Sequence, residues 1–205
     1  MIHLFGMDAA AADLRRAQRY RDIIIRQARV FVLPSATVAG IGSRETHWSE
    51  TCGGVANWLG DPEKMPDGTI HWHGCGPLQV DDRTDPEFCT AWKAGRYDVE
   101  TGIHRGLQIL IEKVHYFQRF APSADPSMVM RLSIAAYNCG QVHVQRAYVL
   151  GTDPDMHTMP HDGRTPAERT PWKSGDYSKD VLQRADYFRD NGFASSAGDD
   201  SWGAG

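Results

Sequence analysis

No run of apolar residues in this 205-residue chain is long enough to cross a bilayer. The N-terminal segment Met1-Ile2-His3-Leu4-Phe5-Gly6-Met7-Asp8 lacks a basic run and carries only a very short apolar stretch, so as it stands it does not read as a signal peptide. Positive charge is not in excess either. Lys and Arg number 22 against 26 Asp and Glu, giving a net charge of −4 and a pI near 6.1, which leaves no electrostatic case for binding nucleic acid or an anionic membrane. Cysteine is sparse, at four residues (Cys52, Cys75, Cys89, Cys139), and a chain of this size folds without disulfides. Cys52 and Cys75 bracket one irregular segment, where a bridge and two reduced thiols are both open readings.

What is present is ordinary globular composition, 41% hydrophobic and 23% charged, enough for a sizeable core. The reading is a monomer with one domain over residues 1–193 and a flexible, small and polar tail at 194–205. Asp8 to about Leu33 reads as one long amphipathic helix with Asp8 as cap and an apolar stripe of Leu14, Ala17, Ile24, Ala28 and Phe31. Its Arg15, Arg16, Arg19, Arg26 and Arg29 form a solvated face. A second, mostly buried helix starts at Pro34 with Ser35 able to cap. Cys52 to Gly76 is rich in Gly, Pro and Trp and reads as loop, with a small hairpin around Asp67-Gly68 and short strands through Thr69-Ile70-His71-Trp72 and Leu78-Gln79-Val80. Helices follow at about Val99 to Phe120, at Pro126 to Tyr137 after Asp125 and before Gly140, through Val142 to Tyr148, and at Ser178 to Asn191. Gly151 to Asp176, with five prolines, reads as a long surface loop of the kind that serves as a lid or binding segment.

Chemistry concentrates at the end of the second helix, in Ile41-Gly42-Ser43-Arg44-Glu45-Thr46-His47-Trp48. Glu45 stands at the wet end of a greasy helix beside Trp48, a setting that disfavours the ionised form and raises a carboxyl pKa. A model Glu titrates at about 4.3, and a general acid working near neutrality needs a lift of roughly two units. Asp81 is the carboxylate to pair with it, because in extended backbone Gln79 and Asp81 share one face while Asp82 points to the other. Asp61 and Asp67 are further acidic candidates in the intervening loop. Two carboxylates about 6.5 to 9.5 Å apart are the requirement for inverting hydrolysis of a glycosidic bond. Trp58 and Trp72 either stack on sugar faces or close a small core. His71-Trp72-His73 places two imidazoles on one strand face, a possible zinc pair with His47, Cys75 or an aspartate, but no further ligand stands at a recognised spacing and the pair reads as polar loop, with no metal.

Several separated segments, in order, resemble one family. Tyr20-Arg21-Asp22-Ile23-Ile24 with Ala39-Gly40-Ile41-Gly42-Ser43-Arg44-Glu45-Thr46-His47 resembles the goose-type lysozymes, whose catalytic segment reads close to A-G-I-I-S-R-E-S-H. Gly76-Pro77-Leu78-Gln79-Val80-Asp81 is similar to their G-L-M-Q-V-D, and Ser133-Ile134-Ala135-Ala136-Tyr137-Asn138-Cys139-Gly140 to I-S-A-Y-N-A-G. Asp176-Tyr177-Ser178-Lys179-Asp180-Val181 and Ala185-Asp186-Tyr187-Phe188 are similar to the closing D-Y-A-N-D-V and A-Q-Y-Y.

The resemblance implies an α+β, lysozyme-like fold, mainly helical, with a small antiparallel β element beside an active-site cleft. It implies hydrolysis of the β-1,4 bond between N-acetylmuramic acid and N-acetylglucosamine in peptidoglycan, without metal or cofactor, on the bacterial cell wall. Glu45 becomes the general acid. Asp81 matches the family aspartate, Gly60-Asp61 matches an earlier G-D that positions water, and Asp67 is a substitute because the loop is longer here. Gln79, Tyr137, Asn138, His47 and Trp72 become the substrate-binding set. The chain departs from the pattern at Pro77, Leu78 and Cys139, at the longer connection over 151–176, and at Gly102, where the family has histidine and only His104 is near. Lytic transglycosylases share the Glu45-like motif and usually lack the second carboxylate, so Asp81 favours hydrolysis. A transglycosylase giving 1,6-anhydro products and a non-catalytic glycan-binding module remain alternatives. Phage lysin, delivered effector and secreted enzyme are all open as routes to the wall.

Overall fold

Two Asp-Pro pairs start helices in this chain in the same way: Asp85 and Asp125 each accept a hydrogen bond from a backbone N–H three residues on, Phe88 and Met128, both at 2.9 Å. Proline at the next position has the helical φ already set and no N–H to leave orphaned. The computed structural model describes residues 7–51, 57–155 and 177–193. Along these run α1 (Met7–Ala17), α2 (Arg21–Val30), α3 (Ser35–Thr46), β1 (Leu59–Lys64), β2 (Ile70–Cys75), β3 (Val80–Asp81), α4 (Pro86–Lys93), α5 (Val99–Phe120), α6 (Pro126–Cys139), α7 (Gln141–Val149) and α8 (Tyr177–Phe188). The strands form one antiparallel sheet in the order β1-β2-β3. This is the expected α+β class, mainly helical with a small sheet.

Several boundaries differ from the sequence reading. The first long helix is two, separated by a 3-10 turn at Gln18–Tyr20, and Asp8 lies inside α1 instead of capping it. The cap of α3 is Pro34, in extended backbone. Ser35 is the first helical residue, and its buried Oγ has no hydrogen-bond partner among the described residues. The loop assigned over 52–76 contains a full hairpin, with Gly60 opposite Gly74 and the turn at Asp67-Gly68 as expected. Leu78 and Gln79 are turn, not strand, and Gln79 has a positive φ of 51°, so it does not share an extended face with Asp81. Helix α4 has no counterpart in the sequence reading. Most of the 151–176 loop, the 194–205 tail and Cys52 lie outside the described residues. Cys75 is a free, buried thiol.

The described residues divide into two compact units, one of residues up to Gln108 with 184–193, the other of residues between Ile109 and Gln183. In the first, Ile24, Val38, Ile41, Leu78, Ile103 and Leu107 are buried together with nearly the whole of α3. In the second, Val114, Phe117, Val129, Leu132, Ala135, Ala136 and Val144 form one cluster, lidded by Tyr116, Phe120 and Tyr148. There the buried Asp155 accepts from Ser178 N at 2.9 Å and anchors the start of α8. No single described helix is long and apolar enough to cross a membrane. The bent pair Ala9–Val30 and Ser35–Thr46 reaches that length only jointly, across a 119° bend.

Candidate active site

Helix α3 delivers Glu45 to its C-terminal end, half-buried, and ends just after it. His47 and Trp48 both take positive φ, 54° and 48°, and return N–H groups to the Ser43 and Gly42 carbonyls at 3.1 and 3.4 Å. That reversal swings the Trp48 indole back under the helix, where Nε1 donates to Ala39 O at 2.8 Å and the ring covers Gly42. Only glycine fits there, since a Cβ would lie 2.3 Å from the indole. Tyr20 and Trp58 close around Trp48, with ring centroids 5.9 and 6.3 Å away. Of the two readings for Trp58, the core one holds: it is 3% exposed. Trp72, on β2, is half-buried. The Tyr20 hydroxyl donates to Glu50, and burial with that neighbouring carboxylate pushes its pKa up to about 12.

Under the same helix end lies a buried polar knot. Asp13 of α1 is fully buried and accepts from Ser43 Oγ at 2.6 Å, from Arg16 at 2.5 Å and from Arg184 at 3.0 Å. His47 Nδ1 stands 2.9 Å away, so this ring, expected to bind substrate, has one nitrogen on Asp13. Burial pushes the Asp13 carboxyl up, but hydrogen bonds from His47 and Ser43, the His47 charge and Arg16 outweigh it and hold the pKa below the usual range. Asp13, Arg16 and Arg184 belong to no motif, and no periodicity or spacing singles them out.

Thr46 ties this helix to the sheet. Its Oγ1 lies 3.0 Å from both the Gly42 and the Pro77 carbonyl oxygens, so its single proton is shared between its own helix and the turn leading into β3. In that turn the Gln79 amide nitrogen donates to Trp58 O at 2.8 Å and Gly76 O at 2.9 Å. Its Oε1 lies over the Gly60–Gly74 pair so closely that a Cβ on either would come within about 2 Å of it. Gln79 thus braces the hairpin. Gly102, where the family pattern has histidine, packs under Trp92 and Pro77, and even a Cβ there would sit 2.7 and 2.8 Å from them.

Asp81 and Asp61 are brought together by a residue that sequence reasoning missed, Arg83. Its Nε and Nη2 donate to Asp81 at 2.9 and 2.6 Å, its backbone N–H donates to Asp81 Oδ1 at 2.8 Å, and Nη2 reaches Asp61 at 3.3 Å. For Asp81, burial raises the pKa, but the Arg83 hydrogen bonds and charge prevail and hold it low. Asp67 sits at the exposed hairpin tip, accepting from Thr69 N and Oγ1 at 2.9 and 2.6 Å, hydrogen bonds that lower its pKa and make it a turn former. Asp82 takes the other face, with His71, His73 and Lys93 as partners. Tyr137, half-buried, and Asn138, exposed, occupy the last turn of α6 in the second unit.

The mainly helical α+β fold with its small antiparallel sheet is that of the lysozyme-like glycoside hydrolases. The family model described as Lysozyme g matches residues 6–162. Lysozyme g of Gallus gallus is 30% identical over 184 residues, covering 90% of this chain and 70% of that protein. Those of Dromaius novaehollandiae and Struthio camelus are 27% and 28% identical, with 90% and 72% covered in each case. This chain belongs to the lysozyme g family.

Proposed function

We propose that the chain is a muramidase acting on peptidoglycan of the bacterial cell wall, cleaving the β-1,4 bond between N-acetylmuramic acid and N-acetylglucosamine. The observation that carries this reading is the Thr46–Pro77 link, which joins the helix end bearing Glu45 to the turn that leads into Asp81. Glu45 donates its proton to the glycosidic oxygen as the bond to C1 breaks. A water held by Asp81 and Asp61 attacks C1 from the opposite face and delivers an inverted reducing end. Asp81, kept ionised by Arg83, is a weak base and a strong hydrogen-bond acceptor, so its part is to orient that water more than to deprotonate it. Asp61 takes the assisting role ahead of Asp67, because Arg83 joins it to Asp81 while Asp67 is bound into the hairpin turn. Trp72 and His47 contribute substrate contacts, and Gln79 holds the turn on which the aspartates depend.

The test is Glu45→Gln, assayed by clearing of wall suspensions with circular dichroism to check the fold. Activity should fall about 10²- to 10⁴-fold, the usual contribution of a general acid. Clearing at the parent rate by a folded variant overturns the role of Glu45. Mass spectrometry of the parent's products should find reducing ends, and 1,6-anhydro ends would replace water attack with internal attack.

A further inference from the structure

We propose that His71, His73 and Asp82 form a binding site for one divalent transition-metal ion of the zinc type, tying β2 to the chain just beyond β3. The two histidines stand at i and i+2 on β2 and so project from one face, with ring centroids 4.7 Å apart. Backbone pairing fixes the third ligand. The β2–β3 ladder sets Gly74 opposite Asp81, and the next hydrogen bond, Asp82 N–H to His73 O at 2.9 Å, seats Asp82 beside the imidazoles. Asp82 Oδ2 is 2.6 Å from His71 Nε2, Oδ1 is 2.8 Å from His73 Nδ1, and ligand atoms from the three residues lie within 4.8 Å of one another.

The donor set selects the class of ion. Two imidazole nitrogens and one carboxylate oxygen suit zinc and its neighbours, whereas calcium and magnesium ask for oxygen alone. His73 also has a carboxylate on its outer nitrogen: Glu63 of β1 stands 2.7 Å from Nε2. A neutral ring has one N–H and can donate to only one of the two acids facing it. With that N–H on Glu63, Nδ1 and Asp82 Oδ1 face each other at 2.8 Å, a pair satisfied by a second ring proton or, once it opens by about half an ångström, by a metal ion with bonds of about 2 Å to each atom, and the outer carboxylate fixes the ring as it does behind metal-bound histidines. The His71 side chain is 43% exposed, which gives the ion a way in and leaves room for water as a fourth ligand. The competing charge is Lys93, with Nζ 3.3 Å from Asp82 Oδ2 on a flexible stem that must swing aside.

The test reads binding and not activity, so it stands apart from the proposed catalysis. Purified protein stripped with a chelator is titrated with zinc at neutral pH by calorimetry, with melting followed in parallel and cobalt as a spectroscopic probe. One ion should bind per chain and raise the melting temperature, and cobalt should develop the visible bands of a low-symmetry nitrogen and oxygen site. His71→Gln and Asp82→Asn should abolish both effects, Glu63→Gln should weaken binding about tenfold, and Lys93→Gln should tighten it. No saturable binding to the parent overturns the site, as does a folded His71→Gln variant that binds like the parent. If a variant fails to fold, the cobalt spectrum of the parent decides: bands appear or the site is wrong.

Discussion

Arg83 grips Asp81 through its guanidinium and its own backbone N–H, and from the same Nη2 reaches Asp61 across the sheet. All three side chains are substantially exposed, so the pairs contribute little to stability, about 0 to 1 kcal/mol for ion pairs of this kind. Their value is geometric. Arg83→Gln should leave the melting temperature within about 2 °C of the parent while lowering kcat in wall clearing about tenfold, because the water-holding carboxylates lose their common anchor. Unchanged kcat would remove Arg83 from the proposed machinery.

Thr46 offers a sharper separation of placement from chemistry, since it acts only through the segments it joins. Thr46→Val keeps shape but leaves the Pro77 carbonyl without this donor, a loss of about 1 to 3 kcal/mol for a buried group. The helix end and the turn should then drift, lowering kcat with KM little changed. Thr46→Ser restores the hydroxyl and should restore both. A stability loss in the valine variant with kcat intact would mean that the link is structural alone.

How much of this was readable in the chain depends on where the information lies. Helix α5 was legible end to end, because Ile103, Leu107, Leu110, Val114 and Phe117 repeat at helical spacing over 22 residues. Helix α4 carries the same Asp-Pro start as α6, yet its eight residues, Pro86–Lys93, are too few for periodicity to declare itself. The break at Gln18–Tyr20 was illegible because all three residues tolerate a helix, and what Tyr20 meets, Trp48 and Trp58, is far along the sequence. The Glu45 segment and the aspartates were visible as motifs. Arg83, Asp13 and the approach of Asp82 to the two histidines were not, since sheet register and helix packing create those contacts.

Gly42 should behave against the usual rule for helices. Replacing an exposed helical glycine with alanine gains about 1 kcal/mol, but here the added methyl enters a buried indole pinned at Nε1 by Ala39. Gly42→Ala should therefore destabilise by about 1 to 3 kcal/mol, read from urea midpoints. Trp48→Phe in the same chain frees space, so the double variant should be more stable than the sum of the two single losses. Strict additivity would place the indole away from Gly42.

Asp13 gives the chain an acid limit. A carboxyl with a folded pKa below its unfolded value, about 3.9 for aspartate, contributes stability that is fully present above that value and is lost as pH falls through the folded pKa. Near neutrality Asp13→Asn breaks a buried ion pair with Arg184 and should cost about 3 to 5 kcal/mol, since the guanidinium stays buried. Below about pH 4 the parent begins to surrender the same charge, so the difference between parent and variant should narrow steadily with further acid. Urea titrations of both proteins from pH 7 downward decide the matter: a gap that stays constant into strong acid would mean that the Asp13 charge is not what holds α1, α3 and Arg184 together.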